Sequence, residues 1–61
     1  MITTQAKIRE LFWQDNPQFT RRPGWKQNQY PVNIRLTFID FVDMKHRNGE
    51  ISEALAGRAT L

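Results

Sequence analysis

Residues 31–49 read PVNIRLTFIDFVDMKHRNG, and the period assigned to this stretch decides the fold. Val32, Ile34, Leu36 and Phe38 alternate with Asn33, Arg35 and Thr37, which is the pattern of a strand. The continuation Ile39-Asp40-Phe41-Val42-Asp43-Met44 breaks that alternation. Ile34, Phe38, Phe41, Val42 and Lys45 instead share one stripe of a 3.6-residue repeat. Residues 32–38 alone fit either period, so length arbitrates, and a run from 31 to 47 is too long for an ordinary strand. The expectation is a helix from about 31 to 47. Pro31 suits a first helical position, where its missing N–H costs nothing. Asn48-Gly49 suits the end, with Gly49 in the left-handed conformation.

Working outward, residues 4–15 form the other principal helix. Thr3 or Thr4 can cap it, because a hydroxyl accepts from the free amides of a first turn. Ile8, Leu11 and Phe12 lie on one face, with Trp13 off that stripe. Asn16-Pro17 should stop it, since a residue before proline avoids the α region. After Gly49, Ile51, Ala54 and Leu55 predict a short helix over about 50–56, with Gly57 ending it. Residues 58–61 then make a brief extended tail that docks Leu61. Residues 16–30, NPQFTRRPGWKQNQY, are a long connection with a turn at Pro23-Gly24. Fifteen residues is long for an unstructured link. The connection should therefore contain a short extended piece around Phe19, or be held down by its aromatics, or carry function. The fold class is mainly α, one domain over 1–61.

The expected core is Ile8, Leu11, Phe12, Ile34, Phe38, Phe41 and Val42. Leu36, Ile39 and Met44 are left over on the 31–47 helix. A helix apolar over most of its girth must be covered on more than one side. Residues from the rest of so short a chain cover one side only, and a second copy is the simplest cover for the other. Small size points the same way: a domain of about 60 residues buries only about 60% of its unfolded surface. The chain contains no Cys and a single His, His46, which excludes a disulfide framework and a thiolate or paired-His metal site. An intertwined homodimer is the expected assembly.

The net charge of +3 is local. Residues 1–15 and 31–61 each balance, whereas 16–30 hold Arg21, Arg22 and Lys26 with no acid. These cations alternate with Phe19, Trp25 and Tyr30. Cations for phosphates and rings for bases are the ingredients of nucleic-acid contact. In the plainer reading the rings pack on the helices and the arginines keep the loop wet. A third reading uses Trp and Arg as anchors for an acidic protein. Trp13, Phe19, Arg21, Arg22, Trp25, Lys26 and Tyr30 are the candidate contact residues. Any leftover apolar cleft with Trp13 or Trp25 at its edge would receive a partner as a helix in a groove.

Catalysis has little to stand on. His46 sits near a helix end, where capping or a surface role suffices. Asp40 and Asp43 share a helix face, but nothing completes a metal triad; Arg47, four residues beyond Asp43, is the natural ion-pair partner. Ser52 has no base nearby in sequence. Gly24, Gly49 and Gly57 form no phosphate cradle. A helix-turn-helix at 48–56 is opposed by Glu50, Ser52 and Glu53, where base-reading side chains would be needed. No catalytic residue, cofactor or metal is expected. No apolar run is long enough to span a membrane, and there is no cationic start followed by an apolar core, so the expectation is a cytoplasmic protein.

Four stretches together suggest a family: Ile8-Arg9-Glu10-Leu11-Phe12-Trp13, Lys26-Gln27-Asn28-Gln29-Tyr30, Ile34 to Asp43 (IRLTFIDFVD), and Ile51 to Leu61 (ISEALAGRATL). In this overall pattern the chain resembles a group of very small early proteins of lambdoid temperate phages, encoded between the exonuclease and excisionase genes. The resemblance covers nearly the whole chain and rests on no catalytic motif. It implies a small, mainly helical homodimer with one short strand, made early in the bacterial host to favour lytic over lysogenic development, without enzymatic activity. The partner would be a host or phage protein, with nucleic acid the alternative.

Overall fold

The 31–47 stretch is helical from residue 32 to residue 47. The computed structural model describes residues 2–22 and 24–61, and in it α1 spans Gln5–Asp15, α2 Val32–Arg47 and α3 Glu53–Arg58, with a short 3-10 turn at Gln27–Gln29. Thr4 caps α1: its hydroxyl accepts from the Lys7 amide at 3.2 Å. Asn16 leaves the helical region and turns its side-chain amide back onto the Phe12 carbonyl at 2.9 Å. Pro31 is the N-cap of α2, one residue before the helix begins.

The end of α2 is a six-residue double closure. The Glu50 amide donates to the Lys45 carbonyl and the Gly49 amide to the His46 carbonyl, both at 3.0 Å. That pairing needs a left-handed residue, and Gly49 supplies it with φ +73°. α3 starts later than its apolar spacing indicates. Ser52 is the cap, its hydroxyl accepting from the Leu55 amide at 3.1 Å. Gly57 lies inside α3 and does not end it. A Cβ at either glycine would meet nothing within 4 Å, so backbone conformation alone decides what alanine does there. Gly57→Ala should raise stability by about 0.5–1 kcal/mol. Gly49→Ala should lower it by about 1–2 kcal/mol. Melting shifts of opposite sign in circular dichroism are the check.

The core lies where α1 and α3 pack on one face of α2. Ile8, Phe12, Ile34, Phe38, Phe41, Val42, Ile51 and Leu55 are buried, and Leu11 packs against them half-buried. Phe12 is the hub: its ring stands edge-on to Phe38 at 5.1 Å and to Phe41 at 5.6 Å between centroids. Ile2 is held to the closure after α2 by its amide, which donates to the Glu50 carbonyl at 2.9 Å. Leu61 does dock: residues 59–61 leave the helical conformation, Arg9 Nε donates to the Thr60 carbonyl at 2.8 Å, and Leu61 packs on the core.

The expected short strand is absent among the described residues. A strand needs a neighbour to pair its backbone, and the hydrogen bonds made between backbone groups in the described part of 16–30 are those of short local turns. Phe19 donates to the Asn16 carbonyl, Trp25 to Arg22 and Gln29 to Lys26. Gly24 takes a positive φ in the second of these turns, whose Pro23 lies outside the described residues.

Candidate interaction surfaces

Two surfaces carry the residues singled out in the sequence: the far side of α2, and the loop between α1 and α2.

On α2, Val32, Leu36, Ile39 and Asp43 fall within about 60° of one another at 100° per residue. The buried residues Ile34, Phe38, Phe41 and Val42 occupy the opposite side. The fold covers one face only. Val32, Leu36 and Ile39 keep 60%, 56% and 54% of their surface in solvent. Met44 is exposed too, roughly 100° round the helix from Asp43. Asp43 pairs with Arg47 at 2.7 Å, the spacing expected. Asp40 is exposed, and no group of residues fit to hold a metal occurs among the described residues. His46 is exposed in the last turn of α2 beside Lys45 and Arg47, at the carbonyl end where cations are favoured. Lys45 is the exception on the buried stripe. Its stem lies in the core face while its ammonium reaches Glu50 at 3.2 Å and sits 5.3 Å from the Phe41 ring centroid.

In the loop, the structure separates the candidate rings. Tyr30 is buried at 5% exposure, a core residue and not a contact residue. Its hydroxyl accepts from the Arg22 amide at 3.2 Å and donates to the Arg22 carbonyl at 3.0 Å, clamping the loop to the start of α2. Its ring meets Trp13 at 5.5 Å and Trp25 at 5.4 Å. Phe19 is half-buried against Phe12. Trp25 remains partly open, but the Arg22 guanidinium lies over it at 5.1 Å from the centroid. One ring face is therefore occupied by the neighbouring cation. Of the rings proposed as stacking platforms, none offers two free faces. Arg21, Arg22 and Lys26 are exposed as expected.

Between Trp13, Trp25, Tyr30 and the arginines Arg9, Arg21 and Arg22 lies a cleft of about 120 Å³. That volume takes a single side chain. It falls below the ~300 Å³ at which ligand pockets begin, while a more open depression of about 450 Å³ beside it, along Arg9, Trp25, Lys26, Thr60 and Leu61, also has Trp25 at its edge. Replacing Tyr30 with Phe keeps the ring and removes both hydrogen bonds to Arg22. The expected cost is about 1–3 kcal/mol, the usual result of leaving partly buried backbone groups unpaired. Trypsin should then cut faster after Arg21, while the helical signal stays intact.

No family model matches this chain, and no curated protein or solved structure does either.

Proposed function

We propose that this chain is a non-enzymatic interaction module that works as a homodimer, joined through the exposed face of α2. The observation that carries the reading is the row Val32, Leu36 and Ile39, more than half exposed on the longest helix. A folded monomer gains nothing by displaying three large aliphatic side chains in line. Each copy closes its own core around Phe12, so the pairing is between folded surfaces, in place of the intertwining suggested by the sequence. Covering the exposed half of six such side chains supplies on the order of 5–9 kcal/mol. Association alone costs roughly 4–15 kcal/mol. The dimer is therefore weak, and flanking contacts decide its strength. Sedimentation equilibrium over roughly micromolar to millimolar protein, the range of such affinities, should show mass rising from the 7.2 kDa of one chain towards twice that value. A constant 7.2 kDa ends the proposal.

The dimer presents two copies of the Trp13–Trp25 cleft. Its lining of rings and arginines suits a side chain that is acidic or aromatic, borne by a host or phage protein. The resemblance to early lambdoid phage proteins implies a role for that contact in the shift towards lytic development. The alternative is a small DNA-binding regulator using Arg21, Arg22 and Lys26. That alternative has its cations but few free rings. Phosphate binding through three cations should weaken by one to two orders of magnitude, about 40-fold, between about 50 and 200 mM salt. An absence of binding at the lower salt removes the alternative.

A further inference from the structure

The cleft at Trp13, the Asp40–Asp43 pair and the core-facing Lys45 all yield less than the apolar row on α2, and the inference drawn from that row rests on the dimer reading above. We propose that the occupant is a second copy of the chain and that the two α2 helices run antiparallel, with Asp43 of each copy set against the start of the other's α2.

Three features fix the direction. First, Val32, Leu36, Ile39 and Asp43 are evenly distributed about a point between Thr37 and Phe38. An antiparallel two-fold through that point puts Leu36 opposite Ile39 of the partner subunit and Val32 opposite Asp43 of the partner subunit. Second, Asp43 lies in the middle of the stripe's width, at its C-terminal end. A parallel pair would set this carboxylate against its own copy in the seam, where like charges repel. Third, the start of α2 is uncapped: Pro31 offers no side-chain acceptor and the first turn contains no acid. Its free amides and positive helix end attract a carboxylate. The antiparallel pair delivers one, while Asp43 keeps Arg47 beside it at 2.7 Å. Apolar contacts then occupy the centre of the seam and a charge meets a helix terminus at each end. The isologous arrangement closes after two copies, so no filament follows.

The chain has no cysteine, which makes the test direct. Val32→Cys and Asp43→Cys change exposed positions only. Each variant alone, and then the mixture, is treated with a bismaleimide reaching about 10 Å, one helix diameter. In the antiparallel pair, residue 32 lies about 16 Å along the axis from its own copy, eleven residues at 1.5 Å each. The expected result is a cross-link in the mixture and little in either variant alone. Cross-linking of each variant with itself, and none between the two, means a parallel pair and overturns the proposal. No cross-link in a protein that still sediments as a dimer places the contact on another surface and overturns it equally. No cross-link together with a mass of 7.2 kDa overturns the dimer itself. Independently, Asp43→Asn should weaken the dimer by about three- to thirtyfold, the usual effect of a charge at a helix end taken twice, once for each copy. Asp40→Asn, off the seam, should not. Equal effects from the two would contradict the assigned role of Asp43.

Discussion

Phe12→Ala will remove a third or more of the chain's stability and lower its melting temperature by more than about 10 °C. Phe12 is fully buried, and its ring contacts those of Trp13, Phe19, Phe38 and Phe41. Truncating a buried Phe costs about 3–5 kcal/mol, from lost transfer energy and the cavity left behind. A domain of this length has a total stability of only about 3–9 kcal/mol at typical values per residue. The loss thus takes a third of the stability at least and all of it at most. Phe12 also joins α1 to α2, so no neighbour can collapse into the space without moving a helix. Circular dichroism at 222 nm and a thermal melt are the measurement. A cooperative melt within a few degrees of the parent would show that the ring cluster does not hold the fold.

Replacing both Leu36 and Ile39 with Gln will do the opposite: it will spare the fold and remove the dimer. Both residues are more than half exposed in the single chain, and Gln is a good helix former. The melt at concentrations where the chain is monomeric should move little. In the dimer the pair of substitutions strips four side chains from the seam. At about 1 kcal/mol for each half-buried side chain, affinity should drop by nearly a thousandfold. Sedimentation should then return 7.2 kDa at every concentration at which the parent associates. If the double variant pairs as well as the parent, the seam is elsewhere. Together the variants separate the two faces of one helix. Phe12 tests what lies under α2, and Leu36 with Ile39 tests what lies over it.

Much of the architecture is legible in the order of the residues. Thr4, Asn16-Pro17, Pro31 and Gly49 mark helix ends because capping is local chemistry, set by one hydroxyl, one missing N–H or one absent Cβ. The helical period of 31–47 is visible because the core face repeats Ile34, Phe38, Phe41 and Val42. Expectation and structure part where two local signals compete. Gly57 looks like a stop, yet α3 runs through it to Arg58, since a glycine mid-helix costs only about 1 kcal/mol. Ser52 looks like a spare hydroxyl and is the cap. A signal for it exists: a Ser just before an acidic, apolar-periodic run is an N-terminus signature.

The candidate surfaces are legible in part. Charge alone places Arg21, Arg22 and Lys26 in solvent. It does not place Tyr30 in the core, because a tyrosine in a basic loop serves binding or packing equally well. The path of the loop decides between them, bringing the Arg22 backbone to the Tyr30 hydroxyl. The same folding lays Arg22 over Trp25 and uses up a ring face that composition counts as free.

The sequence by itself determined α1 and α2, the residues that mark their ends and the over-apolar character of α2, because each depends on residues within a few positions of one another. Only the tertiary structure decided that α3 and the loop bury Ile51, Leu55 and Tyr30 while Val32 joins Leu36 and Ile39 in the open. That outcome depends on how many faces of α2 a chain this short can reach. The rest of the chain reaches one, and Val32, Leu36 and Ile39 are left on the other.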